Sequence, residues 1–185
     1  MEKINKLLSK LKKYNLDGYL IPKNDEFFSE YVPHNKDNLQ YISNFSGSYG
    51  MALILKKKNF LFVDGRYTVQ ANIQSGKAFT VITLPFQKNK PNLKIKDKTI
   101  GFNPRLFSER SLEILSNRLK IKCAAVNEDL INSIKGSKKN FISKKFYTLN
   151  ENITGEKSSM KIKKLKKNLA KNNIDIMLIT SSENI

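Results

Sequence analysis

The stretch from Tyr41 to Gln70, YISNFSGSYGMALILKKKNFLFVDGRYTVQ, carries the residues best placed for chemistry. A loop of small residues, Ser46-Gly47-Ser48-Tyr49-Gly50, leads into an apolar run from Met51 to Leu55. A Lys-rich turn follows, and a second apolar run, Phe60 to Val63, ends on Asp64-Gly65-Arg66-Tyr67. Arg66 comes just after a strand-end glycine, where a side chain projects from the sheet edge at the start of a helix. A guanidinium there has two uses. It can clamp a carboxylate or a peptide carbonyl through paired hydrogen bonds, or it can form a salt bridge with Asp64 or another acidic residue. The residues alone leave both open.

Other chemistries lack their parts. Metal-assisted hydrolysis needs clustered His, Asp and Glu. The only histidine is His34, in the loop PHNKD, and it reads as a solvated side chain. Asp25, Glu26, Glu30 and Asp37 are scattered and read as helix-surface or capping residues. Ser46-Gly47-Ser48 is not followed by the Lys-Ser/Thr of a phosphate cradle. No Ser or Cys stands with a His partner, as nucleophilic catalysis requires. The single cysteine, Cys123, has the apolar neighbours Ile121, Ala124, Ala125 and Val126 and reads as a buried strand thiol. A lone cysteine excludes an internal disulfide and fits a reducing, cytoplasmic compartment.

The net charge is +18. It invites a nucleic-acid reading, but the basic residues are almost all Lys, with Arg only at 66, 105, 110 and 118. Readers of bases and phosphates lean on the arginine fork. Together with abundant Asn and Ile, the Lys fit an AT-rich coding bias and solvated faces. No specific nucleic acid is expected, although weak polyanion binding at low salt would be unsurprising. No apolar stretch approaches the ~18 residues of a membrane span. The segment from Met1 to Tyr14 lacks the apolar centre of a secretory signal.

Around the Asp64–Tyr67 corner, strand and helix patterns alternate. Ile4, Leu7, Leu8 and Leu11 recur at helical spacing, and Tyr19 to Ile21 reads as a buried strand. Phe27 to Tyr31 and Asn38 to Ile42 read as short helical turns. The two runs on either side of Lys56-Lys57-Lys58 read as a hairpin. A helix is expected from Arg66 to Gln74, stopped by Gly76, then a strand from Phe79 to Leu84 and a polar loop from Gln87 to Lys98. Thr99 to Phe102 and Ile121 to Val126 read as strands. Between them lies a helix over Ser108 to Leu119 with Ser108 as its cap, and Asp129 to Ile134 is a short helix. The pattern predicts an α/β fold, a mixed β-sheet flanked by helices.

Six motifs occur in order along the chain. They are Gly18–Pro22; Ser29-Glu30-Tyr31-Val32 before Pro33; Ile42–Ser48 with Gly50; Val63–Tyr67 with Gln70-Ala71; GFNPRLFS at Gly101–Ser108; and Asn127–Ile134. Together they resemble the N-terminal domain of the Xaa-Pro aminopeptidases (aminopeptidase P) of the creatinase/prolidase superfamily. Asn103 and Lys135 depart from the pattern, where the family usually has Asp and Trp. The resemblance implies a creatinase/prolidase N-terminal type of sheet. It implies a parent metallopeptidase that removes the residue ahead of a proline at the second position of a peptide. Two divalent ions, Mn in type, would lie in a C-terminal catalytic domain that this chain lacks, and no cofactor is expected in the chain itself. It further implies a homodimer, no membrane, and a role for Arg66 in reaching the bound peptide.

The chain also repeats itself. Lys3-Ile4 through Ile21 aligns without a gap on Lys161-Ile162 through Ile179, matching Leu7 with Leu165, Leu11 with Leu169 and Asp17 with Asp175. The organisation expected is a domain over 1–136, a linker over 137–156, and the first helix and strand of a second, truncated copy over 157–185. The competing expectation is a truncated, noncatalytic interaction module that binds polyanions through its Lys.

Overall fold

Strand β1 (Gly18–Pro22) is buried along its whole length. It lies inside a six-stranded sheet ordered β4-β3-β2-β1-β5-β6. The remaining strands are β2 (Met51–Leu55), β3 (Phe60–Asp64), β4 (Thr80–Leu84), β5 (Thr99–Phe102) and β6 (Lys122–Ala125). β2 is antiparallel to both β1 and β3, while β3 pairs in parallel with β4, and β5 in parallel with β1 and β6. All strands but β2 therefore end on one edge of the sheet, which is also where β2 begins. The expected mixed sheet flanked by helices is the fold observed. The computed structural model describes residues 2–29, 31–84, 93–136, 145 and 147–180.

Side-chain alternation sorts the central strands onto two cores. Tyr19, Ile21, Ala52, Ile54, Leu61 and Val63 face one cluster, and Leu20, Leu53, Leu55, Phe60 and Phe62 face the other. Both faces are covered, so these strands read as continuous apolar runs. The first face packs on α1 (Glu2–Lys13) through Ile4, Leu7 and Leu11, on α2 (Asn38–Ser43) through Leu39 and Ile42, and on α3 (Thr68–Ser75) through Ala71. On the second face, α4 (Glu109–Leu119) brings Leu112, Leu115 and Leu119. α5 (Leu130–Lys135) returns to the first face with Leu130, Ile131 and Ile134. Each fully buried Leu or Ile contributes about 1.5–3 kcal/mol.

Caps fix the helix starts. Ser108 accepts from the Ser111 N–H as expected, Asp37 from Gln40 and Asp129 from Asn132. One local expectation is corrected. No helix forms at Phe27–Ser29 or at Tyr31, where a helical turn is expected, and Glu30 lies outside the described residues. The Asp25 carboxylate accepts from the N–H groups of Phe27 and Ser29 and from the Ser29 hydroxyl, at 2.9–3.0 Å. Such a side chain competes with helix for the same N–H donors. The loop also holds Phe28 at φ 54°, the left-handed region.

The chain divides into two compact units, Met1–Ser137 and Lys138–Ile185. The second contains α6 (Glu151–Thr154), inside the expected linker, and α7 (Ser158–Lys171). Most of the linker's first half, residues 137–144 and 146, lies outside the described residues. Residues 174–180 form neither helix nor strand, although the repeat aligns Met177–Ile179 with the strand expected at Tyr19–Ile21. A strand needs a neighbour to accept its hydrogen bonds, and among the described residues this unit has none.

Candidate functional site

The edge where β3 ends and β2 begins brings Asp64, Arg66 and Tyr67 beside the loop Ser46–Gly50. Gly65–Tyr67 is a single 3₁₀ turn capped by Asp64, whose carboxylate accepts from the Arg66 N–H at 2.9 Å. The same carboxylate takes the Arg66 guanidinium side-on. Nε donates to both oxygens at 3.2 Å and Nη2 to one at 2.7 Å. These bonds and the Arg66 charge hold the Asp64 carboxyl below the usual carboxylate range, and the guanidinium is raised in turn. The Arg66 side chain nonetheless stays 74 % exposed, against 24 % for Asp64. The salt bridge open in the sequence is therefore formed, and it leaves the outer side of the guanidinium facing solvent.

Tyr67 supports this arrangement. The Arg66 guanidinium carbon lies 5.3 Å from the centre of the Tyr67 ring. The Tyr67 hydroxyl shares a 2.7 Å hydrogen bond with Ser48, and the ring meets Phe45 edge-on at 5.7 Å. Glycine at 47 is a packing requirement here, since a Cβ would fall 2.2 Å from the Phe45 ring and 2.9 Å from Tyr67. At 50, a Cβ would stand 3.0 Å from the Phe62 carbonyl oxygen. Gln70 and Gln74 of α3 anchor the loop from the other side. The Gln74 Oε1 accepts from the Ser46 N–H at 2.9 Å, and Gln70 Nε2 donates to the Ser46 hydroxyl at 3.0 Å. The Ser-Gly-Ser and Asp-Gly-Arg-Tyr-x-x-Gln motifs are thus two halves of one packed corner.

The other candidates do not gather there. His34 is exposed in its loop. Cys123 is half-buried on β6, and burial raises its thiol pKa. Asp25 caps its own loop, Glu26 pairs with Lys36, and Asp37 pairs with Lys23 in a buried contact. Among the described residues no group of three His, Cys, Asp or Glu could hold a metal ion. The described residues therefore do not fit a two-metal centre, and no step of a reaction is assigned to them.

Two features escape the sequence reading. The turn after β5 copies the one after β3: Asn103 Oδ1 accepts from the Arg105 N–H at 3.0 Å, as Asp64 does from Arg66. The spacing Asx-x-Arg after an apolar run is the signal for both. The loop held by Asp25 presents Phe27 and Phe28 at 73 % and 52 % exposure, at the carboxyl end of β1. The departure at Lys135 is accommodated by polarity. Its ammonium donates to the Asn35 carbonyl at 3.0 Å and to Asn38 at 2.6 Å, and burial lowers its pKa.

Residues 3–133 match the Creatinase/Prolidase N-terminal domain family. The chain belongs to that family. Similar proteins include Xaa-Pro aminopeptidase 1 of Dictyostelium discoideum, 25 % identical over all of this chain and 32 % of its own length. Xaa-Pro aminopeptidase 2 of Rattus norvegicus is 29 % identical over 80 % of this chain and 23 % of its own. The creatinase/prolidase N-terminal fold also appears in solved structures. An X-prolyl aminopeptidase from Caenorhabditis elegans, described as a cytosolic enzyme with a di-nuclear active site, superposes with a TM-score of 0.72. That match is 23 % identical and covers 94 % of this chain and 32 % of the other. The N-terminal domain of the peptidase PepQ from Mycobacterium tuberculosis gives 0.53 at 21 % identity, covering 72 % of this chain and 98 % of that domain. The chain thus spans about a third of the length of the first of these relatives. Among the described residues, no helix of this creatinase/prolidase-type chain is long and apolar enough to cross a membrane.

Proposed function

We propose that this chain is the noncatalytic N-terminal region of an aminopeptidase P, which removes the residue preceding proline from the start of a peptide. The observation that carries this reading is the family match over 3–133, continued by Xaa-Pro aminopeptidases that align over the whole chain yet are about three times as long. The metal centre, two divalent ions of the Mn type, belongs to a separate catalytic domain. In this reading the chain supplies a peptide contact through Arg66, and scaffold or homodimer surface through its sheet and helices. The repeat between 3–21 and 161–179 supports reading residues 157–185 as the first helix and strand of a second copy. A cytoplasmic setting agrees with the half-buried, unpaired Cys123. The substrate is a peptide; neither nucleic acid nor membrane is a specific partner.

The test is turnover of an Xaa-Pro peptide by the purified chain with added Mn²⁺. Hydrolysis at the level of a heat-killed control is expected. Turnover above that level would place a catalytic centre within the chain and overturn the proposal.

A further inference from the structure

We infer that the sheet edge opposite Arg66 binds the phosphate backbone of a nucleic acid without reading its sequence. Five strands begin at that edge and β2 ends there, so turns far apart in the sequence line one rim. Lys56, Lys57 and Lys58 lie in the turn from β2 to β3, and Lys77 precedes β4. Lys96 and Lys98 precede β5, and Lys120 and Lys122 stand at the start of β6. In strand order they run from β4 to β6, five strand spacings of about 4.8 Å, or roughly 24 Å in all. Lysines that are scattered in the sequence are gathered by the topology. Such binding neither needs nor excludes a peptidase role.

The rim is held in register by its backbone. The Lys122 N–H donates to the Lys98 carbonyl at 2.9 Å, and the Asp97 N–H donates to the Lys120 carbonyl at 2.8 Å. The Thr80 N–H donates to the Asn59 carbonyl at 2.9 Å, tying the hairpin turn to the start of β4. Ile95 and Ile121 are buried in the second core and fix the chain beside Lys96, Lys120 and Lys122. The charge is also unmatched. Asp17 and Asp97 are the acidic residues of these turns. Among the described residues, only Lys98 of the eight lysines has a carboxylate at salt-bridge distance, Asp17 at 3.5 Å. The Arg66 edge is the reverse: Lys23 pairs with Asp37, Lys36 with Glu26 and Arg66 with Asp64. One edge matches its charges, and the other leaves them for a partner.

The kind of partner follows from what accompanies the lysines. Residues 56–59, 76–78, 95–98 and 120–122 expose no large apolar side chain, which a bilayer or a protein interface would bury. They include no arginine and no aromatic residue, so neither paired contacts to base edges nor stacking on bases is on offer. A line of ammonium groups remains. It suits a chain of phosphates, where binding is driven by release of the counterions that the phosphates hold.

The experiment follows the anisotropy of a labelled single-stranded RNA of mixed sequence, titrated with the intact chain at several salt concentrations. Lys57, Lys96 and Lys122 are replaced together by Gln. In a second variant Lys161, Lys163 and Lys167 of α7 are replaced by Gln, an equal change in net charge. The rim variant should bind about tenfold or more weakly at low salt, and the slope of log K against log salt should flatten by about 2, since each single-strand phosphate contact contributes about 0.7. The α7 variant, and an RNA of different base composition, should each stay within about 3-fold of the natural pair. Arg at the three rim positions should keep the affinity, because charge and not side-chain shape is used. In the natural chain, bound RNA should shield the rim lysines from acetylation more than those of α7, a readout that needs no variant to fold. Absence of RNA binding at low salt, an equal or larger loss in the α7 variant, or shielding confined to α7 overturns the inference.

Discussion

Asp25 and Ser29 are joined twice: the Ser29 N–H donates to Asp25 Oδ1 at 3.0 Å, and the Ser29 hydroxyl donates to Oδ2 at 2.9 Å. With the Phe27 N–H also at 3.0 Å, this carboxylate organises the loop at the end of β1. Burial alone would raise its pKa, but the bonds from Ser29 and Phe27 outweigh it and hold the carboxyl below its ordinary value. A lowered folded pKa stabilises the fold above the unfolded value, about 3.9 for Asp. That stabilisation is lost as pH falls through the lower, folded value. Asp25→Ala strands the Phe27 and Ser29 N–H groups and should cost about 1–3 kcal/mol in a denaturant titration at pH 7. The cost should shrink as the pH falls through that lower, folded value. An unchanged midpoint at pH 7 would show that the loop does not depend on this carboxylate.

Gly47 and Gly65 flank the same corner and should respond in opposite ways to alanine. At 47 the new Cβ meets Phe45, which is fully buried and has nowhere to go. Overpacking of this kind costs about 1–3 kcal/mol. At 65 no atom lies within 4 Å of the Cβ position, and the backbone is not left-handed there. Gly65→Ala should be neutral or slightly stabilising through the unfolded chain. Thermal melts of the two variants decide this. Equal losses would mean that the glycines serve the backbone and not the packing of Phe45 and Tyr67.

The legible parts of this chain are those set by near neighbours in sequence. The hairpin from Met51 to Asp64 follows from two apolar runs around a polar turn, and α4 follows from Ser108 and a helical stripe. The loop from Asp25 to Ser29 is not legible in this way, because an aromatic pair beside acidic residues fits a helical turn equally well until one carboxylate takes the N–H donors. Arg66 shows another limit. Its place at the sheet edge follows from the strand–Gly–Arg order. Whether its fork meets Asp64 depends on a rotamer, and beside that rotamer stand Tyr67 and, from the separate loop before β2, Phe45 and Ser48.

Residues 158–180 should exchange their amide hydrogens faster than any strand of the sheet. Ile162, Leu165 and Leu169 repeat the positions of Ile4, Leu7 and Leu11, yet α7 has no buried residue whereas those three residues of α1 are all buried. A helix without packing opens locally at little cost. Hydrogen exchange followed by mass spectrometry measures it. Protection equal to that of Phe60–Val63 would mean that this helix is covered in solution.

Arg66→Lys separates a functional arginine from a structural one. Lysine keeps the charge and loses the planar fork that Asp64 and the Tyr67 ring hold in place. The Asp64–Arg66 pair is solvent-exposed on the arginine side, and exposed pairs contribute little to stability. The melting temperature of the chain should therefore barely move. In a protein joining this chain to a catalytic domain of the family, kcat/KM for an Xaa-Pro peptide should fall about 10- to 100-fold, the scale of a lost hydrogen bond to a charged group. Loss of the contact in both ground and transition states would appear mainly as a raised KM, whereas a contact that tightens as the peptide bond is attacked would appear in kcat. A sharp drop in melting temperature with unchanged peptide turnover would make Arg66 a strut for the Asp64 turn, and the peptide contact would have to be sought elsewhere on the sheet edge.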